Sequence, residues 1–277
     1  MTGLLNVYKA EGASSAAAVN RIKKLAGVPC GHMGTLDPLA CGVLPVGVGN
    51  ATRLFDYFLE KTKRYRARFR FGVTTETLDR EGALFGEGSV PSAQALQAAA
   101  NAFVGEIDQI PPRYSAKSVN GRRGYELARA GEQFTLLPKR VSIRSFCLTG
   151  QTAPDEFEFE IVCGGGTYIR SLARDLAAAC GTLGYMSFLE RSQSGPFTAE
   201  TAVPLEELTK ENLADHVIPT ESVLPFPRLI DFDYHIFHGI ASKTKTADGL
   251  YKIYKGEEFY GIACVSGGYA KIKTKLC

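Results

Sequence analysis

The sequence has little excess charge, no long apolar run and no paired-cysteine motif; the last two absences exclude classes of protein, and the first leaves the partner undecided. Its 277 residues carry a formal net charge of only +3, well short of the basic excess that by itself indicates a nucleic-acid partner. No segment approaches the ~18 consecutive apolar residues of a membrane span, and the N-terminus lacks the pattern of a signal peptide. The seven cysteines form no CxxC pair or His/Cys grouping at metal-ligand spacing. We expect a soluble, unexported cytosolic protein with reduced thiols and no metal site.

Hydrophobic periodicity predicts an α+β domain over residues 1–225. Helical spacing with serine caps or glycine stops predicts helices at about 14–25, 92–103 and 167–180. Alternation of apolar and polar residues predicts strands, the clearest being KRYRARFRFGV at 63–73, with others at 42–48, 141–148 and 157–163. Helices and strands follow one another without a repeating βαβ unit, which favours α+β over a doubly wound sheet.

The composition changes after Pro219, Pro225 and Pro227. Short aromatic and β-branched runs follow, divided by glycines. This pattern is typical of strands joined by tight turns. It predicts a small all-β domain over residues 228–277.

The string GHMGTLDPLACGVLPV, residues 31–46, contains the best candidate for a reactive group. Its glycines permit a close approach of backbone to ligand, and Pro38 stiffens the turn after Asp37. A carboxylate in such a rigid, apolar-flanked loop suits nucleophilic or general-base work. An Asp-Pro pair taken alone is more often ordinary turn chemistry than catalysis, so the residues alone favour a turn.

The same string closely resembles the GHxGTLDPLAxGVLPV signature of the TruB-type bacterial tRNA pseudouridine-55 synthases. The resemblance continues in the order of that family over about residues 4–197, through LNVYKAEGASS, KRYRARFRFG, TTETLDREG, IPPRYSAKSVNGRRGYELAR, GGGTYIRSLARDLA and GYMSFLERSQSGPF. It implies a pseudouridine synthase fold, with a mixed, mainly antiparallel central sheet flanked by helices. The C-terminal GEEFYGIACVSGGYAKIKTKL resembles the end of a PUA-like RNA-binding domain.

The resemblance implies a catalytic role for three residues that lie far apart in the sequence. Asp37 matches the family's catalytic aspartate, which attacks the sugar or the uracil ring or abstracts a sugar proton. Tyr65 matches the tyrosine that stacks on the target base, and Arg170 the arginine paired with the aspartate. Without the resemblance, core packing would explain Tyr65, and a surface pair with Asp175 would explain Arg170.

Four further residues match family positions that bind the substrate. Tyr168 and Leu189 match positions that pack around the base, and His32 matches the histidine that wedges into the T loop. Lys9 matches the lysine of the N-terminal motif. By pattern alone, Tyr168 and Leu189 would be apolar core, and His32 an incidental loop histidine.

The sequence departs from the family pattern at three positions. Ala10 replaces a proline, Glu76 an aspartate and Glu190 an arginine. The change at Glu190 removes an expected phosphate contact and leaves the RNA path open.

The resemblance predicts a stand-alone, cofactor-free isomerase that binds the T arm and T loop of tRNA, flips the target base, and acts as a monomer without guide RNA. The alternatives are the guide-RNA-dependent relatives of archaea and eukaryotes, and a non-catalytic RNA-binding protein that helps tRNA fold. Basic stretches at 61–70 and 113–129 are candidates for contacts with the tRNA backbone. A solvated strand face explains each single residue equally well.

Overall fold

The computed structural model describes residues 1–59, 61–115, 117–119 and 121–277, and shows an α+β molecule. Its first part contains the strands β1 (Gly3–Lys9), β2 (Cys30–His32), β3 (Cys41–Val48), β4 (Lys63–Phe71), β5 (Thr74–Thr75), β6 (Leu84–Phe85), β7 (Gly105–Gln109), β8 (Ser118–Val119), β9 (Arg122–Arg123), β10 (Lys139–Ala153), β11 (Glu156–Cys163), β12 (Gly184–Ser194), β13 (Phe197–Thr198) and β14 (Val203–Pro204). The α-helices are α1 (Ser15–Ala26), α2 (Phe55–Leu59), α3 (Ala93–Asn101), α4 (Gly124–Arg129), α5 (Ile169–Ala179) and α6 (Thr220–Val223).

Most of these strands form one large sheet in the order β14-β1-β3-β12-β4-β11-β10-β7, with β2 paired to β3 and β13 to β12. The β1–β14 and β3–β12 pairs are parallel, and the other pairs are antiparallel. The prediction of a mixed, mainly antiparallel sheet flanked by helices is therefore confirmed. Strand β12, in the middle of the sheet, was not predicted.

One face of the sheet is covered by α1, α3 and α5, which bury its apolar side chains in the main core. The alternation in β4 decides which residues enter this core, because successive side chains point to opposite faces. Tyr65, Ala67 and Phe69 are buried on the helical face, and Arg64 and Arg66 lie on the other face.

Helix α1 begins and ends as its sequence predicts. The Ser14 hydroxyl accepts a hydrogen bond from the backbone N–H of Ala17, and Gly27 ends the helix with a φ of 65°. The helix places Ser15 against the loop that contains Asp37, where the Ser15 hydroxyl donates to the Leu36 carbonyl at 2.7 Å.

The C-terminal part is a small antiparallel sheet, in agreement with the predicted all-β domain. It contains β15 (Ser242–Lys243), β16 (Gly249–Lys255), β17 (Glu258–Ser266) and β18 (Tyr269–Lys275), in the order β15-β18-β17-β16. It packs against the first part through a shared apolar cluster that includes Leu54 and Ile262. Backbone carbonyls of its last strand and tail accept hydrogen bonds from Asn50 and Arg53.

Candidate active site

A cavity of about 610 Å³ opens where the carboxyl-terminal end of β2, the loop 33–40, β4, β12 and the start of α5 meet. The residues predicted for the site and brought together on its walls are His32, Asp37, Tyr65, Tyr168, Arg170 and Leu189. Lys9 lies behind this wall rather than on it. Segments widely separated in sequence thus form one pocket around Asp37.

Arg170 holds Asp37 through both carboxylate oxygens. Its Nε lies 2.9 Å from Oδ2 of Asp37, and its Nη2 donates to Oδ1 at 3.2 Å. This planar, two-point pairing fixes the orientation of the carboxylate as well as its charge. The Arg170 side chain is 7% exposed, whereas that of Asp37 is 33% exposed, so the carboxylate faces the cavity.

Asp79 is a second carboxylate partner of Arg170 that the sequence did not reveal. Its side chain is 5% exposed, and its Oδ2 accepts from Nη1 of Arg170 at 3.2 Å. Asp79 is itself fixed, since its Oδ1 accepts from the Thr77 hydroxyl and from the Glu81 backbone N–H. The buried arginine therefore lies between two carboxylates, and only the one at the pocket is accessible.

The surface pairing considered for Arg170 is wrong, because Asp175 pairs with Arg174 instead. Arg170 also donates to the carbonyls of Thr77 and Tyr114. The motif TTETLDREG, which contains Asp79, was the available signal for this network. Glu76, the departure in that motif, is exposed and not part of it.

Lys9 is fully buried and supports the Asp37 loop from behind. Its ammonium donates to the backbone carbonyls of Ala13, Pro38 and Ala40 at 2.7, 3.3 and 2.5 Å, and to that of Ala10. Pro38 and Ala40 are one and three residues after Asp37, so Lys9 fixes the exit of the loop. Burial lowers the pKa of Lys9.

Tyr65 and Leu189 form the apolar wall of the pocket on adjacent strands. Tyr65 is 6% exposed and Leu189 is 5% exposed. Burial raises the pKa of Tyr65 to about 12, so the phenol stays neutral at physiological pH. The wall offers a flat aromatic surface beside an aliphatic one.

Tyr168 stands at the start of α5, two residues before Arg170. The side-chain amide of Gln109 fixes its backbone, donating to the Tyr168 carbonyl and accepting from its N–H at 3.1 and 2.8 Å. Burial raises the pKa of Tyr168. Ser115, another residue that the sequence did not reveal, also lines the cavity.

His32 lies on the rim of the pocket in its neutral form. Burial, and next the charge of Arg191, lower the pKa of its imidazole. Its Nδ1 is buried and has no hydrogen-bond partner among the residues that the structure describes. A neutral ring of this kind is suited to stacking and to accepting or donating a single hydrogen bond.

The basic stretch at 61–70 is mostly a face of paired charges. Arg64, Arg66, Arg68 and Arg70 form ion pairs with Glu160, Glu190, Glu158 and Asp155. All four arginines point away from the face that bears Tyr65. The structure therefore favours a solvated strand face over an RNA contact for these residues. Glu190, which departs from the family's arginine, also accepts a hydrogen bond from the Tyr8 hydroxyl at 2.9 Å.

The second basic stretch lies at the mouth of the pocket, which Tyr114, Ser115 and Tyr125 help to line. Arg122 pairs with Glu132, and Arg113 stacks on Phe134. The side chain of Arg123 lies outside the described part of the chain.

Among the described residues, no cluster of His, Cys, Asp and Glu side chains is arranged to hold a metal ion. Within the same ranges, no helix is long and apolar enough to cross a membrane.

Comparison with known proteins identifies the family. Residues 22–169 match the N-terminal domain of the TruB family of pseudouridylate synthases, and residues 170–225 match the C-terminal domain of tRNA pseudouridylate synthase B. The chain belongs to the TruB family. A TruB relative from Caldanaerobacter subterraneus, named tRNA pseudouridine synthase B, is 39% identical over 99% of this chain and 98% of its own length. A relative of the same name from Clostridium kluyveri is 38% identical over 95% of both chains.

Solved structures share the same fold at lower sequence identity. The structure of a Cbf5-Nop10-Gar1 complex aligns with a TM-score of 0.72, covering 99% of this chain and 85% of the other at 24% identity. At that identity the likeness establishes the fold alone. The TruB relatives match over nearly the full chain at higher identity, and they carry the functional argument.

Proposed function

We propose that this TruB family member is a tRNA pseudouridine synthase that isomerises the uridine at position 55 of the T loop. The observation that carries the proposal is the Asp37 carboxylate, held at two points by Arg170 and facing a cavity lined by Tyr65, Tyr168 and Leu189. The relatives named tRNA pseudouridine synthase B support tRNA as the substrate.

The reaction is a rearrangement within one nucleoside. The bond between N1 of uracil and C1′ of ribose breaks, and a bond between C5 and C1′ forms. A proton leaves C5 and one is added to N1, so atoms and electrons balance within the substrate and water. The pocket must hold the detached base while it turns, which calls for stacking surfaces and fixed hydrogen-bonding groups.

Each residue at the site has a proposed part in that chemistry. Asp37 reacts with the sugar or the uracil ring or removes a sugar proton, and Arg170 keeps its carboxylate ionised and oriented. Tyr65 stacks on the base, Tyr168 and Leu189 confine it, and His32 occupies the space that the flipped nucleotide leaves in the T loop. Lys9 supports the Asp37 loop from behind.

We assign binding of the T arm to both parts of the chain, with residues 1–225 as the catalytic domain and 228–277 as a PUA-like RNA-binding domain. Strand β18 supports the second assignment, because Lys271, Lys273 and Lys275 are all exposed along one side of it. Such a row of lysines is suited to phosphate contacts. The enzyme acts as a monomer without guide RNA, in the cytoplasm where its substrate is found.

The test is activity on an unmodified tRNA transcript with the purified chain and no other RNA or protein. We expect pseudouridine at position 55, mapped by mass spectrometry, and none in a transcript with cytidine at that position. Activity that requires an added guide RNA would favour the guide-dependent class instead. Binding without modification would favour a tRNA-folding protein.

A further inference from the structure

Arg191 is a fully buried charged residue at the centre of the large sheet, 1% exposed. It lies on β12, where its neighbours in the ladders are Gly42 on β3 and Tyr65 on β4. Its side chain and that of Tyr65 lie directly opposite each other on the same face of the sheet. An arginine at such a position needs a full set of hydrogen-bond acceptors.

The acceptors are backbone carbonyls at the entrance of the Asp37 loop, residues 33–40, and on strand β3 just after its exit. At the entrance, Nη2 of Arg191 donates to the Gly34 carbonyl at 3.0 Å and Nη1 to the Thr35 carbonyl at 3.2 Å. Just after the exit, Nε donates to the Val43 carbonyl at 2.8 Å. One side chain thus ties both ends of the loop that presents Asp37.

The backbone of Arg191 also passes unusually close to strand β3 just after this loop. A Cβ on Gly42 would lie 2.3 Å from the Arg191 carbonyl oxygen, and Gly42 has a φ of 106°. Both conditions require glycine at that position. Gly42, the last of the three glycines in residues 31–46, thus permits the close approach of β12.

The guanidinium also acts on the aromatic wall. Its charge lowers the pKa of Tyr65, against the larger effect of burial. Arg191 thereby links the two halves of the pocket, the carboxylate loop and the stacking ring. Lysine could not replace it, because an ammonium lacks the planar set of donors that reaches three separate carbonyls.

We propose that Arg191 is a positioning residue of the isomerisation, which holds the Asp37 loop and the Tyr65 ring in one arrangement. The inference rests on the proposed function. Arg191 does not contact the reacting atoms; it sets the geometry of the residues that do. A displacement of about 1 Å at a catalytic group can lower a rate by about 10²-fold.

The test compares Arg191→Lys and Arg191→Gln with Arg66→Gln, an arginine on the same sheet whose exposed side chain points away from the pocket. We expect both Arg191 variants to bind tRNA within about threefold of wild type while their single-turnover rate falls by about 10²-fold. The lysine variant, which keeps the charge and part of the hydrogen bonding, should be less impaired than the glutamine variant. Arg66→Gln should retain the wild-type rate.

Melting curves show whether each variant is folded, and the activity of the wild type tests the proposed function separately. Variants that are folded at the assay temperature and keep the wild-type rate would overturn the proposal. So would variants that lose tRNA affinity rather than rate, because Arg191 would then be an RNA contact, or variants that are unfolded, because it would then hold the fold. If the wild type itself forms no pseudouridine in tRNA, the proposed function fails instead.

Discussion

Replacing Asp79 by asparagine tests whether the buried carboxylate network sets the geometry of the site. Asparagine has the same shape and can still accept from Thr77 and from the Glu81 N–H. It cannot neutralise Arg170, and an amide N–H facing the guanidinium would be repelled by it. The variant therefore removes one charge from a buried ion pair while keeping the local packing.

The structure gives a magnitude for the effect on stability. Arg170 and Asp79 are both buried, but Arg170 keeps its pair with Asp37 in this variant, so its charge is not left without a partner. Losing one charged hydrogen bond costs about 1.5–3 kcal/mol. At about 2–4 °C per kcal/mol for a domain of this size, the melting temperature should fall by about 3–12 °C. Asp37→Asn should lower it by no more than about 4 °C, because Asp37 is one-third exposed and partly solvated pairs contribute about 0–1 kcal/mol.

The assay combines thermal unfolding with the single-turnover rate of pseudouridine formation at a temperature where the variant is folded. Loss of Asp79 should let Arg170 shift and lower the rate by about 10²-fold, without abolishing it. An Asp79→Asn variant with wild-type rate and melting temperature would refute the reasoning. A variant with a lower melting temperature and an unchanged rate would limit Asp79 to a structural role.

Three further predictions concern the groups around the Asp37 loop. Tyr65→Leu should lower the rate of pseudouridine formation far more than Tyr65→Phe. The pH–rate profiles of Tyr65→Phe and wild type from pH 6 to 10 should run parallel, because a phenol with a pKa of about 12 stays neutral throughout this range. An inflection seen only in the wild-type profile would contradict this. Burial lowers the pKa of Lys63 to about 8, so the folded chain releases a proton that the unfolded chain keeps up to about pH 10.5. The free energy of unfolding in urea should therefore rise between pH 8 and 10.5 by up to about 3 kcal/mol more in wild type than in Lys63→Gln. An equal rise of the unfolding free energy with pH in both proteins would contradict the lowered pKa of Lys63. Lys9→Met should lower the free energy of unfolding in urea titrations by at least about 2 kcal/mol and slow the reaction, because four backbone carbonyls lose their hydrogen-bond donor. An unchanged unfolding free energy and rate would show that Lys9 does not support the loop.

Much of the local structure follows from the sequence by elementary rules. The cap at Ser14, the stop at Gly27 and the alternation of β4 are each decided by neighbouring residues. Strand β12 is different, because it is buried in mid-sheet and contains Glu190 and Arg191, whose charges hide its strand pattern. Tertiary partners decide its structure.

The residues of the site divide in the same way. Family resemblance pointed to Asp37 and Arg170, whereas pattern alone favoured a turn and a surface charge. Asp79 and Arg191 were not singled out, because the partner of Asp79 is 91 residues away and those of Arg191 are 148 to 157 residues away. The position of Asp79 also depends on a backbone detail. Leu78, for example, adopts a left-handed φ of 60° immediately before Asp79, in the turn that directs the carboxylate towards Arg170.

The most direct test of the account is the single-turnover formation of pseudouridine by Asp37→Asn, measured beside its affinity for tRNA. If the Asp37 carboxylate takes part in the chemistry, no pseudouridine should form at position 55, while tRNA binding stays close to that of wild type. Turnover near the wild-type rate by the folded variant would contradict the central claim.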